Sequence, residues 1–152
     1  MWPFSSKFGR IKSIPDGHWA VAQGQDGEEL HILRINTWVL KRAGHPDYPH
    51  LIRVIIRFPS DLLINEINEP GSPCMKFEER LFTALQNNAE SMVVAVHTIL
   101  PHSREFVVHS RDAAAAAQRL KFIFADFQKL KPSQATENDP GWAFARRTCQ
   151  VK

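Results

Sequence analysis

Two arginines, two histidines and a glutamate occur at alternating positions of extended apolar runs and could together bind an anion or move a proton. They are Arg53 and Arg57 in one run, His97 in a second run, and Glu105 and His109 in a third. Successive side chains of a strand point to opposite sides of a sheet, so residues two apart share a face. We therefore expect Arg53, Arg57, His97, His109 and Glu105 to form one candidate anion-binding or ligand-binding face.

The seven histidines do not form a recognised metal-binding motif. His45 and His50 bracket a proline-rich loop, and no histidine pair has the spacing that places two ligands on one turn of a helix. The sequence also contains no Gly-x-Ser-x-Gly elbow, no Walker phosphate loop and no Gly-x-Gly-x-x-Gly. It therefore predicts no metal, no cofactor and no catalytic residue.

Cys74 and Cys149 have no motif spacing, so the sequence supports neither a disulfide framework nor a cysteine-based zinc site. Cys74 lies at the start of a predicted helix, where a thiol can become reactive. We interpret it as a packing residue.

Basic charge is concentrated at the two ends of the 152-residue chain. Residues 1–12 and 146–152 contain three basic residues each and no acidic residue; between them, the other 13 Lys and Arg are outnumbered by 16 Asp and Glu. We expect an N-terminal basic and aromatic tail (1–12), a single α+β domain (13–145) and a basic C-terminal tail (146–152). Nucleic acid is not an expected partner, because phosphate binding usually needs a basic face on the folded body.

Apolar stretches are too short to span a bilayer, which takes roughly 20 apolar residues. The N-terminus lacks the continuous apolar segment of a signal peptide. The sequence therefore predicts a cytoplasmic protein without membrane partners.

The order of predicted elements between residues 51 and 139 is β-α-β-β-α-β, which is typical of the ferredoxin-like split arrangement. Apolar runs predict strands, amphipathic periodicity predicts helices, and Asp26-Gly27 predicts a preceding hairpin of residues 18–24 and 28–35. The strands are expected at 51–58, 92–100, 104–110 and 135–139, and the helices at 76–90 and 113–130. We expect one antiparallel sheet with both helices on one face and the polar residues on the helix-free face.

Turn positions predict how neighbouring strands pair. A two-residue loop at Asp26-Gly27 pairs Val21 with Ile32, and a three-residue loop at 101–103 pairs His97 with Val107. The helix periodicity predicts burial of five residues: Leu81, Leu85, Leu120, Phe124 and Phe127.

The segment Asp139-Pro140-Gly141-Trp142 favours a turn, because Asp before Pro disfavours helix and Gly141 permits a positive φ. Trp142 is then expected to fold back onto the core. We interpret these four residues as a structural latch.

Several of these segments together resemble an uncharacterised bacterial family called domain of unknown function 695. They are Trp19, Asp26-Gly27, Arg34-Ile-Asn36, the 51–58 strand, Phe77-Glu-Glu-Arg-Leu81, Val93-Val-Ala-Val, Arg104-Glu-Phe-Val-Val, Arg111-Asp112 and Asp139-Pro-Gly-Trp142. Some members are joined to a domain similar to the bacterial regulator of ribonuclease E, a ferredoxin-like protein inhibitor. The resemblance therefore implies a regulatory, protein-binding role and supplies no catalytic residues.

The leading hypothesis from the sequence is a non-catalytic protein-binding or regulatory module. Its expected partner is another protein, with a homodimer as an alternative. One rival hypothesis is a small-anion-binding protein or enzyme that uses the polar sheet face. Another is an immunity protein that neutralises a toxin.

Overall fold

The computed structural model describes residues 9–150, which form an α+β fold with one six-stranded antiparallel sheet and four α-helices. The strands are β1 (Trp19–Asp26), β2 (Glu29–Asn36), β3 (His50–Arg57), β4 (Ser91–Leu100), β5 (Ser103–Ser110) and β6 (Ser133–Asn138). The helices are α1 (Thr37–Leu40), α2 (Pro73–Gln86), α3 (Ala113–Ala125) and α4 (Ala143–Thr148). The sheet order is β1-β2-β4-β5-β3-β6, so the predicted hairpin extends the sheet at the free side of β4.

The two long helices pack on one face of the sheet. Ser72 caps α2 by accepting a hydrogen bond from the backbone N–H of Met75, and Asp112 caps α3 through the N–H of Ala115. Strand residues that point toward these helices include Ile52, Val54, Ile56 and Phe106, and all are fully buried. Among the predicted helix residues, Leu81, Leu85 and Leu120 are fully buried, whereas Phe124 and Phe127 are partly buried against the same core.

The opposite face is not helix-free, contrary to the prediction. It is covered by α1, α4 and the 41–49 connection, which bury Val39, Tyr48 and Trp142 in a second hydrophobic core. The covering helices have only four and six residues, too few for a recurring apolar period. Asn36 fixes the start of α1 by accepting a hydrogen bond from the N–H of Val39.

The chain ends join this second core within the described residues. Ile11 is 6% exposed, and its carbonyl accepts a hydrogen bond from Arg111. The boundary predicted before residue 146 falls inside α4, where Arg146 donates to the carbonyls of Gly141 and Ala43. The aromatic part of the predicted N-terminal tail, with Lys7, lies in residues 1–8, outside the described residues.

Both predicted pairings are wrong by two positions. Val21 lies opposite Arg34, because the hairpin turns at Gly27 and Glu28; a positive φ at Gly27 alone matches a type II′ turn. His97 lies opposite Glu105, because the β4–β5 loop is centred on residue 101. A shift of two positions leaves Val21 and His97 on their predicted faces. A β-bulge between Val93 and Ala95 changes the β4–β5 register by one more residue.

Across residues 9–150, the structure contains no helix with the length and apolar character required to cross a membrane.

Candidate functional site

A cleft opens between the β3–α2 connection and the end of α3. Its larger part has a volume of about 830 Å³. The apolar residues that line it are Pro59, Leu62, Pro73, Ala125, Phe127 and Leu130. Such a concave, mostly apolar surface is typical of a ligand or partner site.

Local sequence explains both walls of the cleft. After β3, prolines interrupt regular structure, and the connection forms only one 3₁₀ turn, Ile64–Glu66. Leu63 and Ile64 in this connection are 60% and 54% exposed. On the other wall, α3 ends at Ala125 and a 3₁₀ turn follows, closed by Lys131 in a left-handed conformation.

The cleft continues into a basic part. A second cavity of about 550 Å³ shares Pro59, Leu62 and Lys129 with the first and is also lined by Arg57 and Lys131. None of these three basic side chains forms an ion pair with any residue in the described part of the chain. The cleft therefore passes from a larger part that contains both acidic and basic residues to a part that contains only basic ones.

The acidic residues of the larger part are Asp61, Glu66 and Asp126, and Lys76 lies with them. Asp126 accepts a hydrogen bond from Arg80 at 2.5 Å. That part is thus mixed in charge around an apolar floor.

The five residues of the predicted ligand face do not meet in one open pocket. Arg53 donates to one oxygen of Glu105 through Nε (3.1 Å) and a terminal nitrogen (2.8 Å). Its guanidinium also lies 4.2 Å from the ring centroid of Phe144 on α4. Arg57, at the exposed end of β3, belongs to the basic part of the cleft instead.

His109 is a core residue. It is fully buried, its ring stacks on Trp142 at 4.1 Å, and Nδ1 lies 3.0 Å from the carbonyl oxygen of Tyr48. Burial lowers the pKa of His109 to about 4. The ring is therefore neutral at physiological pH and shielded from any substrate.

His97 lies opposite Glu105 and helps to line a shallow recess of about 380 Å³ that also includes His31. A hydrogen bond of 3.0 Å joins Nε2 of His97 to Nδ1 of His31. Burial lowers the pKa of His97, the neighbouring His31 lowers it further, and Glu105 opposes both effects. His31 was not predicted as a site residue, although it shares a sheet face with His97 through alternation on β2.

The predicted latch segment attaches the end of β6 to the second core. The indole Nε1 of Trp142 donates to the carbonyl of Tyr48 at 2.9 Å, and the Asp139 carboxylate accepts from the N–H groups of Ala143 and Phe144. The positive φ lies at Trp142 (57°), not at Gly141 as the sequence suggested.

Sequence reasoning also missed a buried charge cluster on the face with the long helices. Glu78 on α2 accepts hydrogen bonds from Arg34 at 2.5 and 3.1 Å, and it lies 3.5 Å from Arg104. Arg104 is 3% exposed and also donates to Thr98 and Asn68. These contacts join residues far apart in sequence, so no local spacing reveals them.

Cys74 and Cys149 are both buried as free thiols, and burial raises the pKa of each, that of Cys149 to about 11. Their environment is that of inert packing residues.

Neither protein-family models nor curated proteins gave any match to this chain.

Proposed function

We propose that the protein is a non-catalytic module that binds another protein through the cleft between the β3–α2 connection and the end of α3. The observation that carries the proposal is the continuity of an apolar part with a basic part, joined through Pro59, Leu62 and Lys129. Exposed Leu63 and Ile64 extend the apolar surface beside the cleft. Protein-binding patches combine an apolar centre with a polar rim in this way.

The partner segment that fits is acidic on one side of a large apolar residue. An aromatic or leucine side chain would occupy the larger part, which has Leu62 and Phe127 in its walls. Asp or Glu residues next to it would reach Arg57 and Lys131, which have no ion-pair partner among residues 9–150. Complementary charge of this kind mainly sets specificity and association rate.

The contacts of the predicted ligand face give less support to the alternative, a small-anion-binding protein or enzyme. Arg53 and Glu105 neutralise each other beneath Phe144, and His109 is enclosed in the core. What remains for such a function is the recess beside His97 and His31.

We also infer that β3 to β6 with α2 and α3 form a ferredoxin-like split unit. In support, β5 lies between β3 and β4, β6 pairs with the other side of β3, and the two long helices share one face. The β1–β2 hairpin would then be an addition to that unit. The proposed membership of the bacterial family called domain of unknown function 695 rests on the residues quoted above.

A peptide selection tests the proposed binding. A library of random peptides displayed on phage is selected on the immobilised protein, and enriched peptides are synthesised with a fluorescent label. We expect enrichment of an aromatic or leucine residue next to Asp or Glu. Binding, measured by fluorescence polarisation, should weaken at least about tenfold in the double variant Arg57→Glu, Lys131→Glu, since close charge pairs contribute 1.5 kcal/mol or more.

Lys121→Glu is the matched control, because Lys121 is an exposed basic residue of α3 that does not line the cleft. It should leave peptide binding unchanged. Enrichment of peptides without acidic residues would overturn the proposal. Equal loss of binding in Lys121→Glu and in the double variant would also overturn it.

A further inference from the structure

A histidine and two carboxylates meet at the tip of the β1–β2 hairpin. Asp26 ends β1 and lies directly opposite Glu29, the first residue of β2. His31 follows two positions later, so its side chain points to the same side as that of Glu29. One possible ligand atom from each residue lies within 4.8 Å of the corresponding atoms of the other two.

The His31 ring is held in an orientation that suits metal binding. Its Nδ1 forms a 3.0 Å hydrogen bond with Nε2 of His97 on the adjacent strand β4. Metal-binding histidines typically use one ring nitrogen for the metal and the other for a hydrogen bond of this kind. His97 would therefore position the His31 ring and would not itself bind the metal.

The second ring nitrogen of His31 has no hydrogen-bond partner, although it is shielded from solvent. It points toward Glu29, whose Oε1 lies 3.7 Å away. Two ligands of a tetrahedral zinc ion at 2.0–2.1 Å are roughly 3.3 Å apart, so this pair is already near the required separation. Asp26 is exposed and can rotate toward an ion. Glu29 is partly exposed, and its Oε2 lies 3.1 Å from Nε2 of His102, so Oε1 is the oxygen it offers to an ion.

We propose that Asp26, Glu29 and His31 bind a divalent transition-metal ion such as Zn²⁺, with His97 positioning the His31 ring. One imidazole nitrogen and two carboxylate oxygens are ordinary Zn²⁺ ligands, and solvent would complete the coordination. The sequence predicted no metal, because these residues fit no familiar motif. They meet through strand pairing across a turn.

Titration of the full-length, tag-free protein with ZnCl₂ after chelator treatment tests this proposal. We expect one Zn²⁺ per chain by calorimetry and a visible absorption spectrum when Co²⁺ replaces Zn²⁺. His31→Gln and Glu29→Gln should each weaken Zn²⁺ binding at least about tenfold, and His97→Leu should weaken it about 10–100-fold as the loss of a positioning partner does. His18→Gln, which removes an exposed histidine elsewhere, should have no effect.

NMR signals of the individual imidazole rings distinguish a histidine that binds the metal from one that only positions it. In ¹H–¹⁵N spectra of the imidazoles, Zn²⁺ should shift Nε2 of His31 more than either nitrogen of His97. Melting curves recorded with chelator show whether each variant is folded, and the NMR spectrum of the unaltered protein remains decisive if a variant is not. Failure to bind Zn²⁺ at 1:1, binding unaffected by His31→Gln, or equal loss in His18→Gln would each overturn the proposal.

Discussion

Replacing Glu78 with glutamine tests the buried charge cluster between α2 and the sheet. Glu78 is 8% exposed and accepts hydrogen bonds from Arg34 and Arg104. Glutamine keeps nearly the same shape and removes the negative charge. Arg104, 3% exposed, would then be a buried cation without a counter-ion, because arginine does not deprotonate in proteins.

The expected loss of stability follows from that arrangement. Removing one partner of a buried ion pair destabilises a protein by about 3–5 kcal/mol. Arg104 keeps hydrogen bonds of 2.9 Å to Thr98 and Asn68, so we expect the lower end, about 3 kcal/mol. For a domain of this size, that corresponds to a decrease in Tm of about 6–12 °C.

Urea and thermal unfolding followed by circular dichroism measure this change, with Glu79→Gln as the control. Glu79 is the next residue of α2 and is exposed, so its replacement should change stability by less than about 0.5 kcal/mol. The double variant Glu78→Leu, Arg104→Met should recover much of the loss, because it removes both charges. Equal stability of the Glu78→Gln and Glu79→Gln variants would refute the reasoning.

Three further predictions concern the second core and the thiols. The pKa of His109 is about 4 in the folded protein and about 6.5 in the unfolded chain, so the unfolded chain takes up a proton first as the pH falls. The neutral ring therefore contributes roughly 3 kcal/mol of stability above pH 6.5, and this contribution should be lost as the pH falls to 4. Urea titrations at several pH values should show this loss, and His109→Phe should reduce it. Trp142→Ala should lower the free energy of unfolding by about 3–5 kcal/mol, and partly exposed Trp38→Ala by clearly less. Cys74 and Cys149 should not react with a disulfide reagent at pH 8 until urea unfolds the chain, because both are buried.

Each of these has a contradicting outcome. Stability that does not change between pH 6.5 and 4 would contradict the neutral, buried state of His109. Equal losses for Trp142→Ala and Trp38→Ala would show that Trp142 is not a central packing residue. Rapid native-state labelling of one thiol per chain would contradict the burial of that cysteine.

Side-chain periodicity was enough to predict which residues face the long helices. Ile52, Val54 and Ile56 alternate on a strand, and Leu81 and Leu85 recur at a helical interval, as the structure confirms. Period 2 and period 3.6 are fixed by backbone geometry, so they can be recognised in the sequence of a strand or helix that is long enough to repeat them.

The strand pairings and the second hydrophobic core depend on turns, short helices and long-range contacts, which leave no periodic pattern in the sequence. The Asp-Gly pair indicates a hairpin but does not decide whether Gly27 is the first or the second central residue of the turn. Helix α1 has a single turn, and Glu78 meets Arg34 across 44 positions. The metal ligands proposed at Asp26, Glu29 and His31 likewise meet only once the hairpin pairs.

Strand β4 is buried on both faces, and this affects how the chain distinguishes its native strand alignment from other alignments. In β4, the five consecutive residues 92–96 are fully buried and are divided between the two cores, with Val94 and Ala95 both in the second core at a β-bulge. Apolar burial alone therefore distinguishes the native alignment poorly from one slipped by a residue. Polar pairs distinguish the two, because a slip of β4 would break the 2.8 Å hydrogen bond between Ser91 and Ser110 and the 2.9 Å hydrogen bond between Arg104 and Thr98.

We therefore expect these polar side chains to provide the energy gap between the native fold and compact alternatives. Replacing Ser91 and Ser110 with alanine and Arg104 with methionine, together with Glu78→Leu, should leave a compact chain whose amide NMR signals are doubled or broadened. A single set of sharp signals would contradict this expectation and would indicate that the turns determine the strand alignment.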